Sequence, residues 1–109
     1  MIRPIFLGLV KIHILSRAAR EPVYGLALIE DLSRLGYKLG PATVYPVLHG
    51  LEKEKLLAVR RAVVKGKVRK YYAATAKGRQ VLDRNLALAR KLVGTVLGDE
   101  TKPARKRKE

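Results

Sequence analysis

Apolar residues recur at helical spacing in the first half of the chain. Residues 4–19 are apolar on more than one face, which predicts a helix that contacts both the protein core and a partner. Pro22 ends this helix, because the residue before a proline is disfavoured in helical geometry. A second helix is predicted from Val23 to Leu35, where apolar residues follow at one-turn intervals, and Gly36 provides its left-handed stop.

A third helix is predicted over residues 41–55, and its two faces differ in composition. Gly40 is the N-cap candidate and Pro41 takes the first helical position. The buried face is apolar and comprises Val44, Val47, Leu48 and Leu51. The opposite face is polar or poorly suited to a helix and carries Thr43, Tyr45, Pro46, His49, Gly50 and Lys53. An interior glycine costs about 1 kcal/mol relative to alanine and an interior proline about 3. This face therefore indicates selection for contact rather than for stability.

A hairpin and a long helix are predicted in the second half. Residues 56–64 and 68–75 are rich in β-branched and apolar residues, and the basic turn Lys65-Gly66-Lys67 separates them. Thr75 is the N-cap candidate of the last helix, which continues to about Leu97. Its apolar residues follow a heptad spacing, the pattern by which one helix packs along another. The segment after the helix, residues 98–109, has no apolar pattern and is predicted to be a disordered basic tail.

This order of elements predicts the fold class. Two helices, a short turn, a third helix and a basic hairpin form the order of a winged helix-turn-helix, in which the third helix enters the DNA major groove. The chain is thus predicted to be α+β and mainly helical. Residues 1–78 are predicted to form the winged helix-turn-helix DNA-binding domain, residues 79–97 a dimerisation helix and residues 98–109 the tail.

The charge of the chain narrows the class of its partners. Lysine and arginine number 24 against nine acidic residues, which gives a formal net charge of +15. Polyanions are the first partners to consider for such a protein, and double-stranded DNA fits the predicted fold. The N-terminal apolar run is interrupted by Lys11 and His13 and is too short to span a bilayer, so no membrane partner is predicted. The chain has no cysteine, which suits a cytoplasmic location and excludes disulfides and thiolate metal sites.

No constellation of residues supports catalysis or a cofactor. The two histidines, His13 and His49, are far apart in sequence, so no metal site is predicted. Glu52 and Glu54 are two positions apart on a helix and point to different faces, so they do not form an acid–base pair. We expect a binding protein without a catalytic residue, metal or cofactor.

Four segments resemble one family of regulators. Residues 23–32, which include Tyr24-Gly25, resemble the second helix of PadR-type regulators, and residues 41–48 and 51–57 resemble their recognition helix and its exit. Residues 69–78 resemble the returning wing strand and the start of their last helix. A single helix follows the wing, as in the short branch of the family. Lys55 stands where a glycine is common in that family.

The resemblance implies a homodimer, joined through its first and last helices, that represses transcription until a small effector loosens it. The effector is expected to be a phenolic or planar aromatic compound, although no residue favours a particular one. The residues expected to contact DNA are Thr43, Tyr45, Pro46, His49, Lys53, Lys65, Lys67 and Arg69. The residues expected at the dimer interface are Phe6, Leu9, Val10, Leu82, Leu86, Ala89, Val93 and Val96.

Several alternatives stay open at the level of sequence. Tyr45 could pack partly against the wing instead of contacting DNA, and Tyr24, Tyr71 and Tyr72 suit a core or an interface better than base stacking. The leading function is a sequence-selective repressor that binds an inverted-repeat operator. The alternative is a nonspecific or architectural nucleic-acid-binding protein, because the third helix offers no arginine, asparagine or glutamine on its exposed face. A weaker third hypothesis is a module that binds a protein partner through the apolar first helix.

Overall fold

The computed structural model describes residues 3–98. Its elements are α1 (Arg3–Arg20), α2 (Gly25–Arg34), α3 (Pro41–Lys53), β1 (Leu57–Val64), β2 (Lys67–Ala74) and α4 (Ala76–Leu97). The predicted fold class is confirmed: the molecule is a mainly helical α+β protein with a two-stranded wing. Apart from Gly98, the predicted basic tail lies outside the described residues.

The two helices of the helix-turn-helix are bounded by the predicted residues, with small shifts. Gly36 has φ +98° and ends α2 in the left-handed conformation, and Gly40 is the extended N-cap residue before Pro41. The start of α2 was predicted two residues too early. Val23 is extended instead and exchanges two backbone hydrogen bonds with Tyr72 of β2, with N···O distances of 3.0 and 2.8 Å.

α3 ends at Lys53, before the predicted boundary at residue 55. The next turn forms a Schellman motif, in which the N–H of Lys55 donates to Glu52 O and the N–H of Leu56 donates to Leu51 O. Lys55 has φ +66°, a left-handed conformation that favours glycine. This geometry accounts for the glycine expected there from the resemblance, and Lys55 is therefore a strained substitute.

The wing is a hairpin with a two-residue loop. Leu57 pairs with Ala74 at its base and Val64 pairs with Lys67 at its tip, so Lys67 belongs to β2 and the predicted three-residue turn was wrong by one residue. Lys65 and Gly66 have φ values of +52° and +78°. Positive φ at both loop residues is the requirement of a type I′ turn, whose twist matches that of the strands.

One continuous core joins the helices to the base of the wing. It is composed of aliphatic residues and one tyrosine: Val10, Ile14, Leu15, Ala18, Val23, Leu28, Leu32, Val44, Val47, Leu48, Leu51, Leu56, Leu57, Tyr72 and Leu82. Tyr72 is 1 % exposed. Val10 and Leu82 were predicted to contact a partner, but the structure buries both where α1 and α4 pack against the core, which corrects their assignment.

An ionic cluster ties α1 to α2. Asp31 of α2 accepts hydrogen bonds from Arg17 Nε of α1 at 2.5 Å and from Arg34 Nη1 at 3.1 Å. Nε2 of His13 lies 3.6 Å from Asp31 Oδ2. Burial raises the pKa of Asp31, but the hydrogen bond and charge of Arg17, aided by Arg34 and His13, outweigh burial and lower the pKa overall. The carboxylate therefore stays ionised at neutral pH and holds the two helices together.

The strained turn after α3 predicts a stabilising substitution. Lys55→Gly should raise the free energy of unfolding by about 1 kcal/mol, because glycine adopts positive φ without the penalty of a Cβ atom. Thermal unfolding should shift upward by several degrees. The matched control is Lys53→Gly, which removes the same charge from a helical position and should lower stability. An unchanged or lower unfolding temperature for Lys55→Gly would contradict the assigned strain.

Candidate nucleic-acid interface

The outer face of α3 presents most of the residues that were expected to contact DNA. Pro46, His49 and Lys53 are exposed, and Thr43 is half-buried. The opposite face of the same helix lies in the core. Pro46 lies inside the helix, but only one turn after its start. Because Pro46 has no N–H, the helix loses the hydrogen bond to the Ala42 carbonyl oxygen.

Tyr45 combines internal packing with a position at the surface. Its side chain is half-buried, and its ring lies against the first residue of α2, Gly25. A Cβ atom at Gly25 would lie 2.5 Å from the Tyr45 hydroxyl oxygen, so a glycine is required for this approach. Tyr45 therefore packs against the start of α2, a contact that the sequence did not predict.

A groove of about 580 Å³ lies between the start of α2, the outer face of α3 and strand β2. Its lining is basic and aromatic, with a few small or apolar residues: Tyr24, Gly25, Leu26, Tyr45, His49, Lys67, Val68, Arg69, Lys70 and Tyr72. We call it the reading groove. Four residues that were predicted to contact DNA meet here, namely Tyr45, His49, Lys67 and Arg69. Thr43, Pro46 and Lys53 lie outside its lining, and Lys65 lies in the loop of the wing.

The reading groove also contains residues that sequence reasoning missed. The Arg69 guanidinium carbon lies 4.1 Å from the centre of the Tyr24 ring, and Tyr24 makes an edge-to-face contact with Tyr71 at 5.6 Å between ring centroids. Lys70 adds a further cation. Tyr24 belongs to a segment that carried the family resemblance, but only the fold shows that it supports a wing arginine.

The electrostatics of the groove suit an anionic partner. No acidic residue is part of its lining, whereas three cations are. Burial raises the pKa of Tyr72, and nearby Glu52 and Tyr45 add to the increase while Arg61 opposes it. The Tyr72 hydroxyl therefore stays protonated at neutral pH and keeps its ability to donate a hydrogen bond.

A second surface is apolar and lies on α1 and α4. Four residues predicted at the dimer interface are exposed there: Leu9, Leu86, Val93 and Val96. Phe6 and Ala89 are half-buried. Further exposed apolar side chains extend this surface: Ile5, Leu88, Leu92 and Leu97. We call the whole set the apolar face. Exposure of this extent on a small protein marks an interaction surface.

Two further kinds of feature, a metal-binding cluster and a membrane-spanning helix, are absent from the part of the chain that the structure describes. Within residues 3–98, no three histidine, aspartate or glutamate side chains are grouped so that they could hold a metal ion. Among the four helices assigned there, none has both the length and the apolar character needed to cross a bilayer.

Comparison with known proteins places the chain among DNA-binding regulators. The model of the transcriptional regulator PadR-like family matches residues 14–84. The transcriptional regulator Rv3488 of Mycobacterium tuberculosis is 41 % identical over 95 residues, which cover 87 % of this chain and 89 % of that protein.

Solved structures show the same arrangement. A PadR-like transcription factor from Bacteroides fragilis superposes with a TM-score of 0.77 at 28 % identity and covers 88 % of this chain and 94 % of its own. A PadR family transcriptional regulator from Eggerthella lenta gives a TM-score of 0.71 at 33 % identity, with coverages of 87 % and 83 %. The resemblance noted in the sequence is confirmed, and the chain belongs to the PadR-like family of transcriptional regulators.

Proposed function

We propose that this regulator is a sequence-selective repressor that binds an inverted-repeat operator as a homodimer. The observation that carries the proposal is the reading groove, where Tyr45 and His49 of α3 lie beside Lys67 and Arg69 of the wing. A duplex that accepts α3 in its major groove would meet these cations along its phosphate backbone. The absence of acidic residues from the groove lining supports an anionic partner.

Each residue of the proposed DNA-binding surface has a role that its chemistry allows. Thr43 and Tyr45 can bond a phosphate or a base edge, and Pro46 can contact a thymine methyl group. Lys53, at the end of α3, suits a phosphate. The wing cations Lys65, Lys67 and Arg69 suit phosphates or the adjoining minor groove.

The apolar face is proposed to join two copies of the chain. Residues 3–78 would then form the reading domain of each copy, and residues 79–97 the dimerisation helix together with the outer side of α1. In such a dimer the two α3 helices should lie about 34 Å apart, one turn of B-DNA. This spacing requires an inverted repeat with the same period.

Release by an effector is part of the proposal. A groove of about 400 Å³ lies between α1, α4 and the end of α3 and is lined largely by apolar residues such as Leu9, Ile12 and Val81. It adjoins the apolar face, so a small planar aromatic molecule bound there would change the spacing of the two copies. A change in that spacing would move the recognition helices out of register with the operator.

A nonspecific or architectural role is the second candidate, and one observation favours it. The outer face of α3 offers Thr43, Pro46, His49 and Lys53, and it has no arginine, asparagine or glutamine to read a base edge. With a net charge of +15, backbone contacts alone would give appreciable affinity. Both candidates predict steep salt dependence, so only the ratio of specific to nonspecific affinity separates them.

The affinity ratio is expected to favour the operator strongly. Fluorescence anisotropy at near-physiological salt should show that DNA from immediately upstream of the gene binds about a thousandfold more tightly than a scrambled duplex. The scrambled duplex has the same length and composition, so phosphate contacts cancel in the ratio. If the protein does not prefer the upstream DNA to the scrambled duplex, a panel of genomic fragments is tested next as candidate operators. Equal affinity for all of them would contradict sequence selectivity and support the architectural role.

Dimerisation through the apolar face is expected to be lost in Val93→Glu. The Val93 side chain is 54 % exposed on α4, and a carboxylate there would have to lose its hydration in an apolar interface. Size-exclusion chromatography with light scattering at micromolar concentration should show a dimer for the wild type and a monomer for the variant. The matched control is Val63→Glu on the wing, where the valine is also exposed, and it should remain dimeric. A monomeric wild type, or a dimeric Val93→Glu, would contradict the proposed interface.

A further inference from the structure

Two cations lie directly opposite each other on the wing. The antiparallel register pairs Arg61 of β1 with Lys70 of β2. Tyr72 exchanges its backbone hydrogen bonds with Val23, so its N–H and C=O are directed away from β1. Hydrogen-bonded and non-hydrogen-bonded pairs alternate along an antiparallel ladder, so Arg61 and Lys70, two positions from the pair of Tyr72, form a non-hydrogen-bonded pair. In such a pair the Cα atoms are about 4.5 Å apart and the side chains are at their closest.

This arrangement is unfavourable in the free protein. Like charges directly opposite each other destabilise a sheet, and a two-stranded hairpin is only marginally stable. Arg61 and Lys70 are both exposed, and within residues 3–98 neither of them forms an ion pair with an acidic residue. A pairing that opposes folding and lacks an acidic partner indicates that the two charges serve a ligand.

The pair lies on the face of the wing that continues outward from the core. Side chains alternate between the two faces of a strand, so Arg61 and Lys70 share the face of Tyr72, which packs in the core. Burial raises the pKa of Tyr72, Glu52 of α3 adds to the increase and Arg61 opposes it, so both charges lie near that side chain. Lys70 lines the reading groove together with His49 of α3. The two cations therefore lie beside the space that a duplex read by α3 would occupy.

We propose that Arg61 and Lys70 together bind one phosphate group of the DNA backbone, and that this phosphate relieves the repulsion between them. The assignment rests on the proposed function for the presence of DNA. A guanidinium donates parallel hydrogen bonds to phosphate oxygens and an ammonium adds a point charge, so the pair suits the two free oxygens of one phosphodiester. Neither residue was among the cations expected to contact DNA, because their opposition appears only in the strand register.

Stability and binding should then depend on these two charges in opposite directions. Loss of either cation removes a repulsion from the free protein and a contact from the complex. Arg60 is also exposed on β1, but it lies opposite Tyr71, so it takes part in no direct repulsion across the strands. The opposite signs distinguish the pair from the general positive charge of the wing.

Thermal unfolding of the free protein tests the repulsion. Arg61→Gln and Lys70→Gln should each raise the unfolding temperature by about 3 °C, because each removes the repulsion between the strands. The double variant should gain no more than either single variant, since the repulsion can be lost only once. Arg60→Gln is the matched control and should unfold near the temperature of the wild type. Equal shifts in all three single variants would reflect net charge alone and would contradict the proposal.

Affinity for DNA, measured by fluorescence anisotropy, tests the shared phosphate. Arg61→Gln and Lys70→Gln should each weaken binding to any duplex about tenfold and lower the salt slope by about one. The loss in the double variant should be smaller than the product of the single losses, because one remaining cation has no repulsion for the phosphate to relieve. The effect of Arg60→Gln should multiply with that of Lys70→Gln. If the losses at Arg61 and Lys70 multiply as well, the two residues do not share a phosphate and the proposal is wrong.

A third arm distinguishes a DNA phosphate from a free one. Inorganic phosphate replaces chloride at constant ionic strength, and the unfolding temperature is measured without DNA. Equal changes in the wild type and in the double variant of Arg61 and Lys70 support the DNA backbone as the source. A larger rise in the wild type would reassign the pair to a free anion. Because the variants can be compared on a scrambled duplex, the pair can fail while operator selectivity holds, and it can succeed without that selectivity.

Discussion

The proposed DNA-binding side of the molecule depends on a backbone pairing between Val23 and Tyr72. Their mutual hydrogen bonds join β2 to the segment that leads into α2, and the Tyr72 side chain is buried beneath the same junction. A hairpin alone is marginal in water, and the wing is supported by this pairing together with Leu57 and Tyr72, which place its base in the core. The pairing fixes β2 beside the start of α2, and both line the reading groove. Gly25 then allows Tyr45 to lie against the start of α2.

On the side of α1 and α4, the small size of the core is the main constraint. A chain of 109 residues has a limited core, and α1 and α4 each direct one apolar stripe into it while leaving another exposed. The ion pair between Arg17 and Asp31 couples α1 to α2, so the helix with an exposed apolar side is firmly connected to the reading motif. In the proposed release by an effector, this connection would carry a change of packing at the apolar face to the helix-turn-helix.

Local signals made much of this fold predictable from the sequence. Gly36, Gly40 and Pro41 mark the turn between α2 and α3, and Thr75 caps α4 by accepting a hydrogen bond from the N–H of Gly78. Periodicity alone could not say which apolar stripe faces the core, so Val10 and Leu82 were misassigned. Periodicity also could not predict the contact between Tyr24 and Arg69, because that contact requires the pairing of β2 with the segment before α2. The expectation of a glycine at position 55 came from family resemblance, and its φ angle supplies the reason.

We propose that the start of α2, the outer face of α3 and the wing bind DNA as one surface. The most direct test is amide hydrogen exchange of the full chain, with and without the upstream duplex at near-physiological salt. We expect slower exchange at residues 24–28, 43–50 and 65–70 when DNA is bound, with the outer side of α4 unchanged. Protection confined to α1 and α4, with the reading groove unaffected, would contradict this proposal.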